Sequence, residues 1–336
     1  MTFIPRRSLI SLAGACALVA ALPAAAAEKT LKLASFLPPV YVLHEPIFEQ
    51  FAKDMEAATN GAVKVEVYPS GELGQGPAEQ YKRAASRVAE IAYGLPGYTS
   101  SVFPKTLLAE LPGVSSGYED ATRKLWKVMD SDLRAEFKKT VPLAVFVTPP
   151  ATLMMVDKPV RSLDDLAGLK IRVASSTAAA VVESWGATAV PMPANKVYTA
   201  MSTGVVDGAL MGSDSLLIFK LIETTNYVID NLPQMPTAIF LVMNEDAYGE
   251  LDDAERTTLD SLTGLDMSLR AAKLLSDFGN LALKKFAEKP GAELIELSPE
   301  ARAAFDAKSA EAVQGVVADL DGQGIDATGI LARMAE

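Results

Sequence analysis

The chain has 336 residues, of which 49% are apolar and 22% charged, with 42 acidic against 31 basic side chains and a formal charge of −11. At roughly 150 residues per domain this length predicts two domains, and the apolar share supports packed cores over disorder. The acidic balance argues against nucleic acid or an anionic membrane as main partner, and one Cys with one His argues against disulfide frameworks, His-rich metal centres and Ser-His triads.

The N-terminus reads as an address. Arg6 and Arg7 precede an uncharged apolar run from Leu9 to Leu22, then Pro23 and the small-residue site Ala25-Ala26-Ala27. This is the pattern of a cleaved secretory signal over residues 1–27, and the run falls short of the ~20 residues a membrane span needs. The arginine pair is read as the charge of an ordinary n-region, with twin-arginine export as the alternative. Cys16 lacks the large apolar residue three positions upstream that a lipoprotein would carry. Removing 27 of 336 residues leaves 309 without cysteine, and losing two arginines takes the charge from −11 to −13.

Leu31 to Phe36 alternates as a strand, closed by Leu37-Pro38-Pro39. Pro46 suits the first turn of a helix whose apolar face is Ile47, Phe48, Phe51 and Met55, ended by Asn60-Gly61. Val63, Val65 and Val67 alternate with polar residues as a second strand, so the opening is β-α-β. The pattern recurs from Gly168 to Met211: a strand at Leu169–Val173, a helix capped by Ser176 or Thr177, a strand at Thr188–Met192, a helix capped by Asn195, and a strand from Val205. Such spacing predicts parallel βαβ units.

The apolar run Leu143–Val147 followed by Pro149-Pro150, and a second run at Ala238–Met243, predict two crossings between α/β lobes, hence a hinge and a cleft. Residues 254–288 carry few breakers and predict a helix of about 52 Å running across both lobes. The expected division is residues 28–149 plus 238–278 for lobe I, and 150–237 plus 279–336 for lobe II.

Several residues invite chemical readings. His44 is the only imidazole, so a locally bonded loop histidine outweighs a catalytic or metal role. Gly71, Gly74 and Gly76 in GELGQG follow a strand, but the spacing is that of a turn and not a phosphate loop. The pairs Asp164-Asp165 and Asp252-Asp253 sit at helix starts, where acids favour the dipole. Arg172 stands apart, near the C-terminal end of a strand where α/β sheets place their ligand crevice. Its planar fork matches a carboxylate, and Ser175, Ser176 and the next helix N-terminus offer further donors; the alternative is a solvated arginine paired with a surface acid.

The run GLKIRVASSTAAAVVESWGATAVPMPANKVYTAMSTGVVDGAL resembles the signature region of solute-binding proteins of TRAP (tripartite ATP-independent periplasmic) transporters. TNGAVKVEVYPSGELG, FPKTLLAELP and FLVMN look like further landmarks, so the resemblance covers residue 31 to about 300. It implies an α/β, two-lobed periplasmic-binding-protein fold with a hinge, closing around a small organic acid and delivering it to TRAP membrane subunits. No cofactor, metal, catalytic residue or nucleic acid is implied, and the chain is expected to be a periplasmic monomer. The family's carboxylate-clamping arginine falls on Arg172. A second arginine of many members aligns with Thr152, an asparagine with Met211 and a packing phenylalanine with Ala194. Losing two polar anchors would leave the second carboxylate of a diacid unpaired, so a monocarboxylate with an aromatic or apolar body is expected. The resulting ligand-binding set is Arg172, Tyr93, Tyr98, Thr152, Met154, Ala174, Ser175, Met211, Gly212, Ser213 and Phe240. The alternatives are a binding protein of another importer class and, with one His and no GxSxG motif, a secreted hydrolase.

Overall fold

Strands form where β-branched and apolar residues alternate or cluster between Gly, Pro and Asn breakers. A computed structural model describes Thr2 and residues 29–336; the expected signal segment, apart from Thr2, lies outside the described residues. The strands are β1 (Lys29–Ala34), β2 (Val63–Tyr68), β3 (Ile91–Gly94), β4 (Thr140–Val147), β5 (Ala151–Met155), β6 (Lys170–Val173), β7 (Thr188–Pro191), β8 (Gly208–Gly212), β9 (Tyr227–Ile229), β10 (Ala238–Asn244) and β11 (Glu293–Ile295). They make two sheets, ordered β2-β1-β3-β10-β4 and β11-β9-β5-β8-β6-β7. The βαβ segments pair in parallel, β1 with β2 and β6 with both β7 and β8.

Each sheet is buried on both faces, as expected when helices cover a largely parallel sheet. In the first lobe, Leu33, Ile239 and Leu241 pack with Phe48, Phe51 and Met55 of the first helix, while Phe240 and Val242 face Phe103 and Leu125. In the second, Leu153, Ile171 and Val173 pack against Val181, Val182, Trp185 and Phe305, and Met154, Ala209 and Val228 against Val197, Met201 and Phe286.

Two strand-to-strand crossings join the lobes. Residues 148–150 lead from β4 to β5, and residues 230–237 from β9 to β10. They run side by side: the Thr148 amide donates to the Thr237 carbonyl at 2.9 Å, the Thr237 amide to Thr148 Oγ1 at 2.9 Å, and the Ala151 amide to the Met235 carbonyl at 2.9 Å. Pro149 and Pro150 restrict one crossing while these bonds tie it to the other, a narrow double hinge.

The spanning helix is shorter than the sequence suggests. Gly264 takes φ +76°, a conformation that interrupts an α-helix, so the segment divides into Asp253–Leu262 and the 24-residue Gly264–Ala287. The latter, about 36 Å long, still bridges: Met267, Ala271 and Leu275 join the first lobe's core, Ala282 and Phe286 the second's. A second bridge went unread. Helix Pro299–Gly322 buries Phe305 in the second lobe, and its Val313, Val317 and Leu320 pack against the first. The C-terminal helix Ala327–Ala335 then buries Ala327, Ile330 and Met334 in the first lobe's core, although the sequence reading assigned everything after residue 278 to the second. No helix among the described residues is long and apolar enough to cross a membrane.

Candidate functional site

Arg172 lies between Ile171 and Val173, which point into the core beneath helix Ser176–Ser184. Alternation turns Arg172 to the opposite face, beside Ala209 of β8 and Val190 of β7. Only 1% of it is exposed. Its Nε and Nη2 both donate to the Met192 carbonyl, at 2.9 and 2.8 Å. Five N–H donors less these two leaves the end-on edge formed by Nη1 and the outer hydrogen of Nη2, the edge that receives a carboxylate in two-point fashion. Burial holds the Arg172 pKa below its ordinary value, with Tyr98 and Glu110 opposing; the guanidinium nonetheless stays protonated.

That side chain lines a cavity between the lobes. The first lobe contributes Phe36, Leu37, Tyr41, Tyr93, Leu95, Tyr98 and Ile239; the second contributes Ala174, Ala194, Met211, Gly212, Asp214, Ser215 and Phe219; Thr148 and Thr237 come from the hinge. Tyr93 is packed by Phe36 and Phe48, with ring centroids 5.7 and 5.4 Å away, and the Tyr41 and Tyr93 hydroxyls lie 3.1 Å apart. The wall therefore combines five aromatic and several aliphatic side chains with one guanidinium and one carboxyl.

Three hydrogen bonds hold the lobes together around it. The Ala194 amide donates to the Tyr98 hydroxyl at 2.9 Å, the Ser176 amide to Ser100 Oγ at 3.2 Å, and Ser175 Oγ to Glu110 Oε2 at 2.5 Å. Glu110 Oε1 also accepts from the Ala238 amide at 2.8 Å, so one carboxyl ties the second lobe to the hinge. Gly97 permits this approach: a Cβ there would stand 2.8 Å from Ser175 Cβ and 2.9 Å from the Ala174 carbonyl oxygen.

Of the residues singled out from sequence, Arg172, Tyr93, Tyr98, Ala174, Met211 and Gly212 line the cavity, and five do not. Thr152 sits inside the sheet, its Oγ1 donating to the Met211 carbonyl at 3.2 Å. Met154 pairs with Ala209 mid-strand and is core, whereas Met211 lies near the end of β8 and reaches the cleft. Ser175 caps its helix through the Ala178 amide and bonds Glu110 instead of facing the cavity. Ser213 is buried towards the spanning helix, where a Cβ on Gly279 would stand 2.5 Å from its Oγ. Phe240 faces Tyr81 and Phe103, and its neighbour Ile239 lines the cavity. Sequence reasoning missed Phe36, Tyr41 and Asp214 because loop and turn residues carry no periodic signal.

The other candidates take local roles. His44 Nε2 lies 3.2 Å from Glu49 Oε1. GELGQG forms turns with Gly71, Gly74 and Gly76 at positive φ. Asp165 and Asp252 take part in capping boxes.

Two buried acids give the site a pH signature. Burial pushes Glu110 up to about 7, against the opposing pull of Ser175, the Ala238 amide and Arg172; burial likewise pushes Asp214 up to about 7, against the amides of Asp214 and Ser215. Unfolded, these acids titrate near 4.5 and 3.8. The closed fold therefore holds more protons than the unfolded chain between about pH 4.5 and 7, and its stability falls as pH rises through that window. The ligand-free protein is expected to melt at higher temperature at pH 5.5 than at 7.5. Glu110→Gln should flatten the dependence, and an unchanged slope in that variant would exclude Glu110 as a source.

Over residues 33–319 the chain matches the family model of bacterial extracellular solute-binding proteins, family 7, and it belongs to that family. It is 30% identical over 259 residues to the outer membrane transporter protein TsaT of Comamonas testosteroni, covering 74% of this chain and 75% of that one. Among solved structures it resembles a marine metagenome TRAP solute-binding protein specific for aromatic acid ligands, in complex with metahydroxyphenylacetate. That match has a TM-score of 0.86 and 27% identity, covering 91% and 97% of the two chains. A TRAP solute-binding protein from Rhodoferax ferrireducens T118, in complex with benzoate, also superposes at 0.86 with 26% identity, covering 91% and 96%.

Proposed function

We propose that this protein captures a small monocarboxylate with an aromatic or apolar body by lobe closure and delivers it to the membrane subunits of a TRAP transporter. The observation that carries the reading is the make-up of the cavity: one buried guanidinium in a wall of aromatic and aliphatic side chains that includes a single carboxyl, Asp214. The carboxylate docks on the Nη1/Nη2 edge of Arg172, and the ring lies among Phe36, Tyr93, Tyr98 and Met211. A diacid would set its second carboxylate against apolar surface or Asp214, at a cost of several kcal/mol. The aromatic acids held by the two similar solved proteins support the same class.

Binding in the open form bridges the lobes and shifts the population to the closed form by the difference in affinity between the two. No bond is broken, and we assign no catalytic residue. The lobes divide at residues 148–150 and 230–237, the protein acts as a periplasmic monomer, and its signal peptide is cleaved after Ala27. A thermal-shift comparison tests the ligand class. Benzoate at 100 times its Kd should add about 2.7 kcal/mol to the folded state, with little effect from succinate. Stronger stabilisation by succinate than by benzoate would overturn the monocarboxylate reading.

A further inference from the structure

Asp214 is a buried carboxyl whose polar company is limited to the amides of Asp214 and Ser215. It is 5% exposed and lines the cavity, yet its Oδ1 has no hydrogen-bond partner among the described residues. Buried acceptors left unpaired are costly, and those that face a ligand cavity are the ones a ligand can satisfy. The fold makes room for this carboxyl: a Cβ on Gly212 would stand 2.5 Å from Asp214 Oδ1 and 3.4 Å from Thr148 Cβ, so glycine alone leaves the space.

The cavity is bipolar. Arg172 is anchored on Met192 with Tyr98 and Glu110 as its electrostatic neighbours, whereas the field of Asp214 falls on Tyr41 and Tyr93. The Tyr41 and Tyr93 hydroxyls are already engaged with each other. A ligand held by its carboxylate at Arg172 thus presents its far edge to an acceptor lacking a donor. Resting on the monocarboxylate reading above, we infer that Asp214 is a specificity-determining residue that selects aromatic acids bearing a hydroxyl donor on the ring, remote from the carboxylate. An unsubstituted ring offers the Asp214 carboxyl no donor, whereas a ring hydroxyl donates to it; above about pH 7, where the carboxyl is ionised, a second carboxylate meets it with like charge.

Calorimetric titration with benzoate, 3- and 4-hydroxybenzoate and their methoxy counterparts tests this. The wild-type protein should bind at least one hydroxybenzoate about tenfold tighter than benzoate, the scale of one hydrogen bond to a charged group. The matching methoxybenzoate, which has no donor, should lose that gain. Asp214→Leu should abolish the preference, and Asp214→Asn, which keeps the shape of the side chain, should reduce it severalfold. Equal affinities in the wild type, or a preference that persists undiminished in Asp214→Asn, overturns the inference while benzoate binding leaves the monocarboxylate reading intact. Failure of every acid to bind overturns both.

Discussion

Replacing Arg172 with alanine is expected to weaken binding of an aromatic monocarboxylate by about 2–5 kcal/mol, or roughly thirtyfold to several thousandfold. The size follows from burial. With the guanidinium 1% exposed, little water reaches the site to take over its role, and a carboxylate would be left against Tyr98 and near Glu110. Arg172→Lys should recover little. An ammonium has no planar edge to split between the Met192 carbonyl and an anion, whereas the arginine gives Nε and one Nη2 hydrogen to the one and keeps Nη1 and the outer Nη2 hydrogen for the other. Calorimetry on both variants, alongside their melting curves, checks this. Wild-type affinity in a folded alanine variant would show that the arginine is incidental.

Gly97→Ala is expected to hold the lobes apart. Its Cβ would meet Ser175 Cβ at 2.8 Å and the Ala174 carbonyl oxygen at 2.9 Å, the latter a backbone atom with little freedom to yield. Overpacking of this kind costs about 1–3 kcal/mol. In the lobe-closure reading proposed above, the cost falls on the closed form, the one that packs Ala174 and Ser175 of the second lobe against Gly97. Closure also makes the bonds from Ala194, Ser175 and Ser176 to the first lobe, which would be lost with it. Small-angle scattering should report a larger radius of gyration than wild type, with ligand affinity down about fivefold or more. Unchanged dimensions and affinity would place the closing contacts elsewhere.

The parts of this architecture that were legible from sequence are those governed by local chemistry. Val63 to Tyr68 alternates because one face meets a core, Lys170 to Val173 because Ile171 and Val173 meet the core while Arg172 turns to the cleft, and Gly and Asn close the intervening helices at short range. Arg172 was legible because a charge at a strand end in a βαβ unit has few places to point. Long-range packing was less so. In β10 both faces are buried, so alternation could not say whether Ile239 or Phe240 meets the cleft, and the choice fell one residue off. Met154 and Met211 look alike in sequence, and only their positions along paired strands separate core from cavity. The break at Gly264 depends on a single positive φ. The burial of Asp214 depends on Gly212, the hinge and the first lobe arriving together, which no local pattern encodes.

The central claim is that the inward edge of Arg172 holds the carboxylate of a ligand enclosed between the lobes. A crystal structure of the protein with benzoate tests it most directly. The expected result has both carboxylate oxygens within about 3 Å of Nη1 and Nη2, the Met192 contacts retained, and the ring among Phe36, Tyr93 and Met211. A benzoate bound with its carboxylate turned away from Arg172, or seated outside the interlobe cavity, would contradict it.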